Sequence, residues 1–209
     1  MNSIATDFSF QLCDVVFFCE VIMLIGLIGL KQSGKDTIAD YLVNEYFFEK
    51  LAFADPLKRV CKELFDLEES YFSDPSMKEA VVERWGISPR TMMQRVGTDI
   101  VRTHFGNDFW IRHMECRLKK LPPSTRVVIS DVRFVSEAMF VKSHGGVLMR
   151  LKRQSSESDA SDNDHISEME QLIIQEDTTV FNFGTKDDLY QQLDDQLTSI
   201  LASHALEIV

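Results

Sequence analysis

The chain has no excess of positive charge. Its 209 residues carry 22 Lys and Arg against 33 Asp and Glu, a formal net charge of -11. A duplex DNA or RNA partner wants a basic face, so this balance argues against nucleic acid as a partner. A mononucleotide needs only local positive charge. Cysteine is scarce: Cys13, Cys19, Cys61 and Cys116 show neither metal-ligand spacing nor an even disulfide framework. They read as reduced, buried thiols of an intracellular, cytoplasmic protein. No internal repeat is present. No Lys or Arg precedes Lys31, so the positive n-region of a secretory signal is missing, and no small-residue cleavage site is clear. The apolar stretches at 15–19 and 21–30 are preceded or interrupted by Asp7, Asp14 and Glu20. A membrane helix there would also consume the first strand of the fold, so no membrane partner is expected. Residues 1–22 read as an extension appended to the fold, or as a start assigned upstream of it. Met23 is the natural beginning of strand one.

The chain does have length for one domain, expected over 23–209, with 44% hydrophobic residues to fill its core. Its most informative stretch is Gly29-Leu30-Lys31-Gln32-Ser33-Gly34-Lys35-Asp36-Thr37. It follows the apolar run Met23 to Ile28 and precedes the helix-like Ile38 to Val43. Strand, glycine loop and helix are the context in which a phosphate-loop pattern has a mechanism. The glycines let backbone amides turn inward around a phosphate chain. The helix N-terminus adds partial positive charge and Lys35 a full one. One position departs from the common pattern. Asp36 stands where Ser or Thr usually follows the lysine, and Thr37 comes one residue later.

Further along, a strand at about 49–53 leads into a helix opened by Asp55-Pro56. Asp74-Pro75 and Ser88-Pro89 start two more helices, each a cap residue followed by proline. The helix from Arg90 to His104 carries Met92, Met93, Val96, Ile100 and Val101 as one core stripe. A helix follows at about 108–120. Arg126 to Ser130 and Val147 to Leu151 are continuous apolar strands, covered on both faces. Residues 154–170 are rich in Ser, Asp and Glu and read as a loop, the centre of a small mobile lid at about 152–168. A last strand (178–183) and helix (186–202) complete the pattern. The fold class is α/β, a P-loop NTPase-like parallel sheet flanked by helices.

Ligands in such sheets bind outside the carboxyl ends of the strands. Polar groups recur there: Asp55, Lys58 and Arg59 after strand two, Asp131, Arg133 and Glu137 after the 127–130 strand, Lys152 and Arg153 after the next. Asp131 fits the second carboxylate of a phosphate-loop enzyme, which binds Mg²⁺ directly or through water, or a helix cap. Arg133 fits phosphate binding or an (i, i+4) pair with Glu137. Phosphoryl transfer depends on alignment and charge neutralisation, so cations should converge from separate segments. Arg90, Arg133, Arg150 and Arg153 lie at element boundaries and fit. Arg102, Arg112 and Arg117 read as solvated helix residues.

Taken in order, Gly34-Lys35-Asp36-Thr37, Ser88-Pro89-Arg90 with Met93-Gln94, Gly97-Thr98-Asp99, Phe109-Trp110, Asp131-x-Arg133-x-x-x-Glu137 and Asp164-His165-x-Ser167-Glu168 form a set. The set resembles the deoxynucleoside monophosphate kinases of phages and large DNA viruses, across roughly residues 23–200. The resemblance implies transfer of the ATP γ-phosphoryl group to a deoxynucleoside monophosphate, with Mg²⁺. It implies that Gly29, Gln32, Ser33, Gly34, Lys35, Asp36, Thr37 and Arg153 hold ATP. Lys31, Leu57, Lys58, Arg90, Gly97, Thr98, Trp110 and Asp131 are then expected to hold the acceptor. Lys35, Arg90, Asp131, Arg133 and Glu137 are expected to carry catalysis, and Asp36 and Thr37 are candidate metal ligands. A homodimer is compatible with this set. Members often carry a second basic residue where this chain has Gln32, and a basic residue where it has Thr91. Two alternatives stay open: a related small-molecule kinase of the phosphomevalonate or dephospho-coenzyme-A type, and a non-enzymatic nucleotide-binding module.

Overall fold

The structure is a computed structural model that describes residues 23–153 and 166–206. The extension at 1–22, Asp164 and His165 lie outside the described residues, as do the side chains of Ser167 and Glu168. Five described strands form one parallel sheet in the order β2-β3-β1-β4-β5. They are β1 (Leu24–Ile28), β2 (Glu49–Leu51), β3 (Val127–Ile129), β4 (Val147–Arg153) and β5 (Thr178–Asn182). All five residues of β1 are buried, as its central position and unbroken apolar run require. Successive side chains divide between two cores. Leu24 and Ile28 face α7 (Phe109–Leu118) and α8 (Val135–Ser143), while Ile25 and Leu27 face α1 (Lys35–Tyr46) and α10 (Lys186–Leu206). The expected parallel sheet with helices on both faces is therefore the observed fold.

A third cluster of Cys61, Leu67, Phe72, Met92 and Val96 builds a helical layer beside the strand ends. It joins α2 (Asp55–Phe65), α3 (Ser70–Ser73) and α5 (Pro89–Gln94), and α4 (Pro75–Glu79) packs beside α3 and α5. Ser88 caps α5 by accepting from the Thr91 amide at 3.3 Å, and Asp74 caps α4 through the Ser76 amide at 2.7 Å. Both starts follow from the cap-proline pairs.

Three elements differ from expectation. The helix after Ser88 changes winding: Arg95–Arg102 is π-helical, followed by the short α6 (Thr103–Phe105). Its i→i+5 bonds rotate the apolar stripe, so Met92 and Val96 are buried while Ile100 is half exposed. The expected 152–168 stretch has regular structure at both ends: Lys152 and Arg153 end β4, and α9 begins at Ile166. That helix, Ile166–Ile173, falls in a stretch whose polar composition suggested only loop. Among the described residues, no helix is long and apolar enough to cross a membrane. Cys61 is buried and Cys116 exposed, both as free thiols.

Candidate active site

The phosphate loop leaves β1 at Ile28 and returns as α1 at Lys35. Gln32 and Gly34 take left-handed backbone, with φ of 62° and 106°. At Gly34 a Cβ would stand 2.7 Å from Asn182 Nδ2, so glycine is required by both angle and space. Asn182, at the end of β5, donates to the Ser33 carbonyl at 3.0 Å, and Arg153, at the end of β4, donates to the Gln32 carbonyl at 3.0 Å. The loop is thus held from two neighbouring strands. Lys35 Nζ donates to the carbonyls of Gly29 and Leu30 at 2.6 and 2.7 Å. An anionic phosphate oxygen is a stronger acceptor than either carbonyl. Asp36 pairs with Lys50 at 3.1 Å, and both it and Thr37 line the cavity in front of the loop.

That cavity has a volume of about 900 Å³. Lys31, Lys58, Lys78, Arg90 and Arg133 line it from the loop, α2, α4, α5 and the turn after β3. Glu79 bridges two of them, with one carboxylate oxygen 2.5 Å from Lys31 Nζ and 2.7 Å from Arg90 Nε. Burial pushes the Glu79 carboxyl up, but hydrogen bonds from Lys31 and Arg90 outweigh it and hold the group below its usual range. Burial, followed by the charges of Lys58, Arg133 and Arg90, lowers the Lys78 ammonium to about 8. The half-buried Lys78 thus stands among three other cations, with Glu79 as the nearby opposing charge.

Behind the cations lie two carboxylates. Asp131 accepts from the amides of Phe53 and Ala54 at 2.7 and 2.9 Å. These amides lie just before α2, whose N-cap is Ala54, so Asp131 braces the turn into that helix and does not cap the segment that follows it. Burial raises its pKa, against the opposing effect of Arg133 and of the two amides. Glu137 is only 3% exposed. One oxygen accepts from the amides of Arg133 and Phe134 at 2.9 and 3.1 Å, and the other pairs with Arg102 at 3.1 Å. Burial, then the charge of Asp131, pushes Glu137 up to about 7. The Arg102 guanidinium lies 3.9 Å from the centre of the Phe134 ring. Trp110 is nearly buried, edge-on to Phe109 at 5.0 Å, and its Nε1 donates to the Gly97 carbonyl at 3.2 Å. A Cβ on Gly97 would meet Leu57 at 2.5 Å, so glycine there permits the close approach of α2 to the π-helical stretch.

The cavity brings together the expected Gly29, Lys31, Gln32, Ser33, Gly34, Lys35, Asp36, Thr37, Leu57, Lys58, Arg90, Gly97, Thr98, Trp110, Asp131, Arg133, Glu137 and Arg153. It does not bring in Arg150, whose buried guanidinium donates to the Ile174 carbonyl and pairs with Glu176 at 2.8 Å. Arg150 points to the α8 side of the sheet because it shares the face of Leu148. Two helix arginines expected to be solvated are not. Arg102 holds Glu137, and Arg117 donates to the Ala52 carbonyl at 2.8 Å and pairs with Asp55 at 3.0 Å. Arg112, paired with Asp108 at 3.1 Å and 59% exposed, is as expected. Lys78, Glu79 and Asn182 are cavity residues that the sequence reading passed over. For Asn182 a signal existed, a polar residue at the carboxyl end of a strand. Lys78 and Glu79 sit in a charged stretch with nothing to single them out.

A parallel sheet with a phosphate loop after its central strand, opening on a cationic cavity, defines a P-loop phosphotransferase. The sequence profile of the deoxynucleotide monophosphate kinase family matches residues 23–86 and 72–193. A putative deoxynucleotide monophosphate kinase of Acanthamoeba polyphaga mimivirus is 40% identical over 184 residues, covering 82% of this chain and 94% of that protein. The chain belongs to the deoxynucleotide monophosphate kinase family, and is a nucleotide monophosphate kinase. Among solved structures it is similar in outline to TT1252 from Thermus thermophilus, at 18% identity and a TM-score of 0.47, covering 85% of this chain and 97% of that one. Shikimate kinase from Aquifex aeolicus gives 13% identity and a TM-score of 0.46, covering 86% and 99%.

Proposed function

We propose that the protein transfers the γ-phosphoryl group of ATP to a deoxynucleoside monophosphate, giving the diphosphate. The carrying observation is that the phosphate loop and the cations Lys31, Lys58, Lys78, Arg90 and Arg133 line one cavity. An acceptor phosphate is already nucleophilic at neutral pH, so the site has little proton chemistry to do. Its work is to press two anions together in line and to spread the charge that develops between them. In this reading the loop amides and Lys35 grip the triphosphate. Arg90 and Lys31 release Glu79 and take the acceptor phosphate, with Lys58 and Lys78 beside it. Arg133 spans the two phosphates, and Arg102 with Glu137 fixes the turn that carries it. Asp131 holds the Phe53–Ala54 corner against that turn.

Mg²⁺, when bound, would neutralise and orient the phosphates. Among the described residues no cluster of three or more His, Cys, Asp or Glu is placed to cage a metal, which fits an ion held chiefly by phosphate oxygens. Thr37 and Asp36 line the cavity where they could share such an ion. Residues 23–209 form the kinase domain in this proposal, with a lid at about 152–168.

The test is ADP release with ATP and a panel of acceptors: deoxynucleotides, ribonucleotides, isoprenoid monophosphates and dephospho-coenzyme A. Stimulation by deoxynucleotides supports the proposal. Stimulation by isoprenoid phosphates or dephospho-coenzyme A alone defeats it. Binding of ATP without turnover on any acceptor would favour a nucleotide-binding module instead.

A further inference from the structure

Gln171 lies on α9, is 3% exposed, and lines the same cavity as Gly97, Trp110 and Phe134. Its Oε1 accepts no hydrogen bond from any described residue. A buried amide oxygen left unpaired is costly and uncommon in folded proteins. Two polar groups of that cavity wall are engaged elsewhere. Glu137 is satisfied by Arg102 and two amides, and Trp110 spends its N–H on the Gly97 carbonyl. Its place in the chain is held on both sides. The adjacent Glu170 accepts from the Val135 amide at 3.1 Å, and Ile174 belongs to the core.

A ligand that fills the cavity beside Gln171 would satisfy this oxygen by bringing a donor. A phosphate at neutral pH offers acceptors only, and the cations already serve it. A nucleobase offers N–H groups along its Watson–Crick edge. We propose that Gln171 is a specificity-determining residue that reads the acceptor base, its Oε1 accepting an N–H from that edge. A carboxamide suits this role, since its NH₂ can meet a ring nitrogen or carbonyl next to the same N–H. The inference rests on the nucleotide acceptor proposed above and adds the group that recognises its base.

The experiment measures kcat/KM on the full chain for the four deoxynucleoside monophosphates. Alongside them run the monophosphates of deoxynebularine and deoxyzebularine, a purine and a pyrimidinone with no N–H on the base edge. Each analogue is compared with the natural nucleotides of its own ring class. The unmodified enzyme should prefer its best natural substrate by about tenfold or more, as a site left with an unpaired polar group discriminates strongly. Gln171→Leu should shrink that preference to within about threefold, through the acceptor KM, with the ATP KM unchanged. Gln171→Glu keeps an acceptor oxygen and should keep the preference. Full preference in Gln171→Leu, or none in the unmodified enzyme, overturns the assignment. If the leucine variant fails to fold, the unmodified enzyme and Gln171→Glu still decide, because loss of preference in the glutamate variant also overturns it. Turnover with an unaltered base profile sinks only this inference. Absence of transfer to every nucleotide sinks the kinase proposal with it.

Discussion

In the proposed reaction the phosphate loop and the acceptor wall both hold phosphate, and they would do so by opposite means. The loop is nine consecutive residues shaped by backbone. Its carbonyls at Gln32 and Ser33 are pinned by Arg153 and Asn182, and Lys35 supplies charge at its helix end, while its other lysine, Lys31, turns to Glu79. The acceptor wall is assembled from residues between Lys31 and Arg133 that arrive on separate elements. Its cations repel one another, as the lowered Lys78 shows, and Glu79 offsets two of them with a carboxylate of its own. A backbone cradle is rigid before its ligand comes. A charge-balanced wall has an internal anion to exchange, so its affinity should answer to pH, salt and the removal of single charges.

The largest effect should come from the loop. Lys35→Ala removes its full positive charge and should lower kcat/KM by about 10²-fold or more, roughly 3 kcal/mol, in a coupled assay. Near-normal turnover in a folded variant would break the comparison at its simpler half. Arg133→Lys keeps charge but loses the planar fork. Turnover should fall by about tenfold or more while ATP affinity stays within about twofold. An equal change in both constants, or none, would take Arg133 out of the transfer step.

Lys78 sharpens the contrast further. Its ammonium is lowered to about 8, so in the free enzyme the charge is present below that pH and lost as pH rises through it. Phosphate favours the charged form. The acceptor KM should therefore climb above pH 8, approaching tenfold per pH unit for one linked proton, while the ATP KM stays flat. Lys78→Arg, charged throughout, should remove the climb. A pH-independent acceptor KM in the unmodified enzyme would remove Lys78 from the phosphate site. The smallest effect belongs to the extension: deleting residues 1–22 should leave activity within about twofold, since the first strand of the sheet begins only at Leu24. Loss of folding on truncation would contradict the proposed domain bounds.

What was legible in the sequence divides along the same line. The loop, its flanking strand and helix, and the Ser88 and Asp74 starts depend on neighbours in sequence, and each formed as read. The acceptor wall depends on which way a side chain turns. Arg150 and Arg102 show the cost of that. Strand alternation turns Arg150 to the α8 face, where Glu176 takes it. The π-helical stretch swings Arg102 inward onto Glu137, although helical spacing placed it in solvent. Nothing local announces the change of winding. Glu137 was expected to support transfer, or else to pair with the Arg133 side chain. Its partners are two amides and Arg102, the latter 35 residues away and beyond what periodicity could supply. Gln171 and Lys78 were invisible for a related reason: each is an ordinary polar residue until the cavity forms around it.

The central claim is that the two regions work across one cavity, moving a phosphoryl group from the loop to the wall. The most direct measurement gives the full-length protein γ-labelled ATP and a deoxynucleoside monophosphate, and follows the label. The account predicts that it appears in the deoxynucleoside diphosphate, and that Lys35→Ala and Arg90→Ala each suppress its appearance. Label found only in inorganic phosphate, at a rate indifferent to the deoxynucleotide, would contradict it.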